Sequence, residues 1–283
     1  GTFEGVNPAS GMVIYYELPQ GESNQPIHLE IFDSQGTLVN EFSSIKEVNY
    51  SSYEGGPSRK KTLMHRKGLN RFVWDLRHEG LPGSPKVYIE GSYSGRKAVP
   101  GTYTLKLTQG NQSLSTQTEI IPNPVHRMSH EEYSAYDEFM SLGEANFIEM
   151  TRMTNALYKN QKRLGQLLKR LNEEGYTALY SKGKELLNEM KVWDAKMVQR
   201  LAKAYDDVEN YENGFTAHYL TLLNQVDSDT PRLTQGARSR VTVLNQQWKE
   251  LKKEGETLQK DKIPAFNAAC FQYGMGVLSS SQP

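Results

Sequence analysis

The spacing of apolar side chains changes once along this chain, near Pro124, and that change decides what it can fold into. Before it, hydrophobic residues alternate in twos; after it they recur in threes and fours. A period of two suits a strand, whose successive side chains point to opposite faces, and a period of 3–4 suits one stripe of a helix. The chain therefore reads as a β part followed by an α part.

In the first part six runs have strand length: residues 11–18, 27–33, 37–42, 70–76, 102–108 and 113–121. Turn chemistry separates them, as in Asp33-Ser34-Gln35-Gly36 and Gln109-Gly110-Asn111, where glycine can take positive φ. Strands of this number and spacing predict an immunoglobulin-like antiparallel β-sandwich over residues 1–124. There is no Cys–Trp–Cys pattern to narrow the type of sandwich further.

The densest stretch is "GLNRFVWDLR", residues 68–77. Alternation sends Phe72, Trp74 and Leu76 inward and Arg71, Val73, Asp75 and Arg77 outward. The expectation is a core strand with its charges on a solvated face, rather than a ligand site at Asp75 and Arg77. After Pro100-Gly101, Tyr103, Leu105 and Leu107 make the next inward stripe. Two long connections, residues 43–67 and 77–99, exceed what a minimal sandwich needs and carry Tyr50, Tyr53, Tyr88 and Tyr93. Long loops on a rigid sheet often bind ligands, and tyrosine rings can stack on sugars. The preferred reading is that these loops pack against another domain.

From Tyr133 the positions Tyr136, Met140, Gly143, Phe147, Met150, Thr154, Leu157, Gln161, Leu164, Leu168 and Leu171 follow at 3–4 spacing. Ser129 and Glu132 have capping-box spacing and Gly175 marks a stop, so one helix of about 60–70 Å is expected. Leu179, Leu186, Met190, Trp193, Met197, Leu201, Ala204 and Val208 predict a second helix. Ala237, Val241, Leu244, Trp248, Leu251, Gly255 and Leu258 predict a third, with Thr230-Pro231 as N-cap and first residue. Residues 215–226 form a short extra helix bridging the last two. Residues 125–283 thus predict an antiparallel three-helix bundle.

Chemistry is harder to find. The 33 basic and 33 acidic residues cancel, which removes the electrostatic case for a nucleic-acid or anionic-membrane partner. No apolar run approaches the roughly 18 residues of a membrane span. Cys270 is the single cysteine, in the apolar context "FNAACFQYG", so a buried thiol is expected and an intrachain disulfide is excluded. His126 and His130 are four apart with Glu131 beside them, but His126 precedes the capping serine and no third ligand is spaced for a metal. His28, His65, His78 and His218 stand alone. The glycines of "YEGGPS" and "EGSYSGR" lack the strand-to-helix context of phosphate loops. Asp206-Asp207 and Glu173-Glu174 read as solvated charge. No catalytic residue, cofactor or metal is expected. Gly1 is not a start methionine, and the chain is read as a piece of a longer protein.

Five segments occur together in order: "NPASGMVIYYELP" (7–19), "IHLEIFDSQGTLVNEFSS" (27–44), "KGLNRFVWDLR" (67–77), "VPGTYTLKL" (99–107) and "IIPNPVHRMSHEEYSAYDEF" (120–139). With residues 221–267 they resemble the C-terminal region of large secreted bacterial proteins, common in Bacteroidetes, whose N-terminal part is a sortilin-like or sialidase-like β-propeller. Members of that family are often labelled glycosyl hydrolases. The propeller's Asp-box, S-x-D-x-G-x-x-W, is absent here, so the resemblance places any such activity in the propeller and transfers no catalytic residue. It implies an exported protein, secreted, periplasmic or on the cell surface, and the propeller of the same parent chain as partner. The expectation is a non-catalytic accessory module. Two alternatives stand beside it: a glycan or surface-polymer binding module using Tyr50, Tyr53, Tyr88 and Tyr93, and part of a glycoside hydrolase whose active site lies in the propeller.

Overall fold

The computed structural model describes residues 5, 7–19, 25–48, 50, 52–228 and 231–273. Six strands form two antiparallel sheets, and five α-helices follow. One sheet pairs β1 (Met12–Leu18) with β4 (Gly68–Trp74). The other has the order β3-β2-β5-β6, from β3 (Leu38–Ser43), β2 (Ile27–Phe32), β5 (Gly101–Gln109) and β6 (Gln112–Ile120). The β5–β6 turn is the two residues Gly110-Asn111, with Gly110 at φ 55°. The β2–β3 turn is held by Asp33 Oδ1, which accepts from the backbone N–H of Gln35 (2.9 Å) and Thr37 (2.8 Å).

Both sheets contribute to one apolar core. Trp74 is 0% exposed, and its ring stands 5.7 Å from that of Tyr103 in the opposite sheet. Phe72 meets Phe42 at 4.6 Å. Each such buried side chain is worth about 1.5–3 kcal/mol. The alternation expected for this strand stops at Trp74. Leu76 takes φ 59°, a left-handed conformation, so the chain turns and Leu76 is only half-buried. The turn is held by the Arg77 carbonyl, which accepts from Trp74 Nε1 (2.9 Å) and Asn40 Nδ2 (3.0 Å). Arg77 therefore leaves the solvated face on which alternation placed it.

In the second part α1 (His130–Glu173) runs 44 residues, about 66 Å at 1.5 Å per residue. Its start is the expected reciprocal cap: Glu132 N–H donates to Ser129 Oγ (3.2 Å), and Ser129 N–H donates to Glu132 Oε2 (2.9 Å). Gly175, at φ 79°, follows its end. Then come α2 (Thr177–Met197), a 3-10 turn (Tyr205–Asn210), α3 (Phe215–Val226) and α4 (Gln235–Thr257). One π turn (Leu258–Lys262) joins α4 to α5 (Ile263–Gln272) without a break.

Two expectations need correction. The second helix stops at Met197 instead of reaching Val208; Leu201 is 65% exposed and Val208 lies in the 3-10 turn. Val198 is extended, and Thr216 Oγ1 donates to the freed Met197 carbonyl (3.0 Å). Gly214 lies so close to this backbone that a Cβ there would sit 2.5 Å from Val198 Cα. Residues 215–226 form the short extra helix expected there. Helix α3 buries eight of its 12 residues against α1, α2 and α4. Finally, Thr230 lies outside the described residues; α4 begins four residues later than expected, where Thr234 Oγ1 accepts from Ala237 N–H (3.2 Å).

The helices enclose a second apolar core, and residues before the change of period enter it. Leu81, Val87, Ile89 and Tyr93, all from the 77–99 connection, pack there with Phe147, Val198 and Leu220. No helix among the described residues is long and apolar enough to cross a membrane. Because Trp74 bridges the two sheets, Trp74→Ala is expected to lower unfolding stability by about 3–5 kcal/mol, measured by urea titration.

Candidate functional site

The greatest concentration of buried charge lies where the 77–99 connection meets α1 and α3. The two ends of the connection run side by side: His78 N–H donates to the Arg96 carbonyl (2.9 Å) and Ala98 N–H to that of Leu76 (2.8 Å). Their side chains meet Tyr136, Asp137 and Glu144 from the first turns of α1, and Asp227, the C-cap of α3.

Arg96 is the hub. Its Nε donates to Asp137 Oδ1 (2.6 Å) and its Nη1 to Glu144 Oε2 (2.7 Å). Its backbone N–H donates to Glu144 Oε1 (2.6 Å), so both oxygens of this carboxylate, only 5% exposed, are occupied. Arg77 Nη1 donates to Asp227 Oδ2 (2.5 Å) and to the Gly95 carbonyl (2.7 Å). The other Asp227 oxygen accepts from the Tyr136 hydroxyl and from Lys97 N–H (3.2 Å). Lys97 Nζ donates to the Ser228 carbonyl. A carboxylate at a helix C-terminus opposes the helix dipole, and Arg77 and Lys97 supply the compensating charge.

Three cations thus face three carboxylates. Burial pushes the Glu144 carboxyl up from its ordinary pKa, against the pull of Arg96. Burial works against the Arg96 cation too, but Asp137 and Glu144 outweigh it and hold its pKa above the ordinary value. Burial and then Asp227 push the Tyr136 hydroxyl up. His78, with Nε2 4.0 Å from Asp137, is driven down to about 4, first by burial and then by Arg96. At neutral pH it is an uncharged ring within a matched ionic set. A general base needs a lone pair within reach of substrate. Glu144 and Asp227 spend their oxygens on fixing backbone and cations, which ties the 77–99 connection to α1 and α3.

The four tyrosines fall into two environments. Tyr93 is 6% exposed and packs on Phe147 at 6.2 Å. Tyr50, Tyr53 and Tyr88 are half-buried and brought together; Tyr53 meets Tyr88 edge-on at 6.1 Å and 84°. Tyr50 donates its hydroxyl to the Pro57 carbonyl (2.6 Å), and Tyr88 donates to that of Lys203 (3.1 Å). The Tyr53 hydroxyl is buried and pushed up first by that burial, against the pull of the Tyr93 hydroxyl. The glycines of "YEGGPS" allow close approach: a Cβ on Gly55 (φ 67°) would sit 2.2 Å from the Tyr205 ring, and one on Gly56 2.6 Å from that of Tyr53.

Asp75 pairs at the surface with Lys61 (3.3 Å). Cys270 is fully buried and its thiol is pushed up by that burial. Among the described residues no group of three His, Cys, Asp or Glu side chains is placed to hold a metal. An open groove of about 330 Å³ lies beside the β2–β3 turn, lined by Phe32, Asp33, Ser34, Thr102, Thr104 and Gln117. The ionic cluster was missed in the sequence because its members lie up to 150 residues apart. The one available signal was the unusual "GRK" at 95–97 inside a connection otherwise rich in Gly, Ser and Tyr. No protein-family model matches this chain, and neither a curated protein nor a solved structure is detectably similar to it.

Removing one member of a buried pair strands the other, at a cost of about 3–5 kcal/mol. Arg77→Ala is expected to lose stability in that range. The double variant Arg77→Ala/Asp227→Ala should lose less than the two single losses added together, as read in a denaturant double-mutant cycle. His78 gives a pH dependence. Its folded pKa lies below the ordinary 6.5, so the unfolded chain takes the proton first as pH falls. Stability from this group is complete above about pH 6.5 and declines by about 3 kcal/mol as pH falls towards 4. Urea unfolding at pH 7 and 4.5 is expected to show this decline, and His78→Gln should remove most of it.

Proposed function

We propose that this chain is a non-catalytic accessory module of an exported protein, packing against and orienting an N-terminal β-propeller of the same polypeptide. In this reading residues 1–124 are an immunoglobulin-like sandwich. Residues 125–283 are an antiparallel bundle in which α1, α2 and the continuous α4–α5 are the three long helices. Any glycoside hydrolysis by the parent belongs to the propeller, and the protein works outside the cytoplasm. The observation that carries the reading is the ionic seam. Its charges are used to lock a loop of the sheet half onto the helices, which suits a spacer that transmits position better than a cleft that turns over substrate. The burial of Leu81, Val87, Ile89 and Tyr93 in the helical core adds to the same lock. Titration calorimetry of the separately produced upstream region against this chain is expected to give saturable one-to-one association. Absence of heat and of co-migration on gel filtration would refute the reading.

A second reading, recognition of a glycan or surface polymer, draws on the gathering of Tyr50, Tyr53 and Tyr88. It expects glycan-array signal that falls in Tyr50→Ala and Tyr88→Ala; a blank array for the unaltered chain rejects it.

A further inference from the structure

The two sheets are unequal, and the mismatch leaves one place unfilled. Four strands lie in one sheet, but among the described residues β1 pairs only with β4 and β4 only with β1. Among the described residues, both outer edges of that pair therefore carry backbone N–H and C=O groups with no ladder partner. Above the far edge of the larger sheet, cover is missing. Leu114 in β6 is directly opposite Leu107 in β5, so it shares the inward face on which Leu105 and Leu107 pack. Yet Leu114 is 78% exposed, and Thr116, the next inward residue, is exposed as well. Of the nine residues of β6 only Ile120 is buried.

These two deficits belong together. Phe72 of β4 reaches Phe42 in β3, the edge opposite β6, and Trp74 of β4 reaches Tyr103 in β5, so the ring contacts of the two-stranded sheet stop one strand short of β6. One of its unpaired edges then borders the strip above β6. On the inward face of β1, Met12 and Ile14 are only partly buried, whereas their partners in β4, Trp74 and Phe72, are fully buried. An unpaired backbone edge beside an uncovered inward leucine has the chemistry of a seat for one extended strand. The ladder would take its main chain, and alternate apolar side chains would cover Leu114.

We propose that this seat is filled by an extended segment from the upstream part of the same polypeptide, which adds to the two-stranded sheet and lies over β6. The inference rests on the accessory-module reading above and specifies how the upstream part is attached. The chain's own path favours this source, because it enters β1 at Met12 from the exposed residues Gly5 and Asn7 to Ser10. It approaches beside the very sheet that lacks a strand, and the cost of closing a connection rises only slowly with its length.

Thiol labelling reads the seat directly, because Cys270, the native cysteine, is fully buried. Leu114→Cys should react rapidly in the 283-residue chain. In the full parent polypeptide it should react about tenfold more slowly or less, since a covered site reacts only on opening. Leu201→Cys, exposed and remote, should react alike in both and serves as reference. Equal reaction of Leu114→Cys in both, with hydrogen exchange slowed elsewhere on the chain by the upstream part, would overturn this inference and leave the accessory reading standing. Equal reaction with no slowing anywhere would overturn both. Protection in the 283-residue chain alone, growing with its concentration, would identify a second copy as occupant and overturn the proposal.

Discussion

Charge taken out of water must be matched where it ends up, and in this protein most of that matching happens in one place. Arg77, Arg96 and Lys97 come from the sheet half; Asp137, Glu144 and Asp227 come from the helices. Neither set is tolerable alone. Three closely placed carboxylates would repel, and one of them caps a helix end of the same sign. The sheet half therefore supplies the counter-charges that let α1 and α3 approach each other as they do. This is a stronger coupling than surface ion pairs give, because Glu144 and Asp227 are nearly dry and accept from backbone N–H groups as well as cations.

The same connection that carries those cations also surrenders apolar residues to the helices. Val87, Ile89 and Tyr93 lie on Phe147 and α3, while Ala98, a few residues later, returns to the core between the sheets. The segment thus serves two cores in turn. Its irregular backbone is pinned by side chains from elsewhere: Asn224 bonds the backbone of Ser92 in both directions (2.6 and 2.9 Å), and Asn155 bonds the carbonyl of Gly83 (3.1 Å). Buried loops need such partners for their backbone groups.

What could be read in advance follows from what is periodic. All six strands and the full length of α1, with its cap at Ser129 and stop at Gly175, were legible because alternation and heptad spacing are local. Trp74 was legible as a core residue for the same reason. Arg77 was not, because one left-handed residue, Leu76, resets the alternation and nothing in its side chain announces that. The end of α2 was hidden because Leu201, Ala204 and Val208 continue the spacing. The chain leaves the helix there through contacts with Thr216 and Gly214, far along the sequence. Arg77 looked like ordinary surface charge, and nothing near Asp227 in the sequence marks it out. Only their meeting across 150 positions gives them a role.

The great length of α1 has a mechanical meaning. The seam grips it at Tyr136, Asp137 and Glu144, near one end, and about 45 Å of helix extends beyond. A tilt of about ten degrees at the grip would sweep the opposite tip, where Tyr176 and Tyr273 meet, through about 8 Å. Small adjustments among a few charged groups are therefore geared up into large displacements at a remote point, as at the end of an oar.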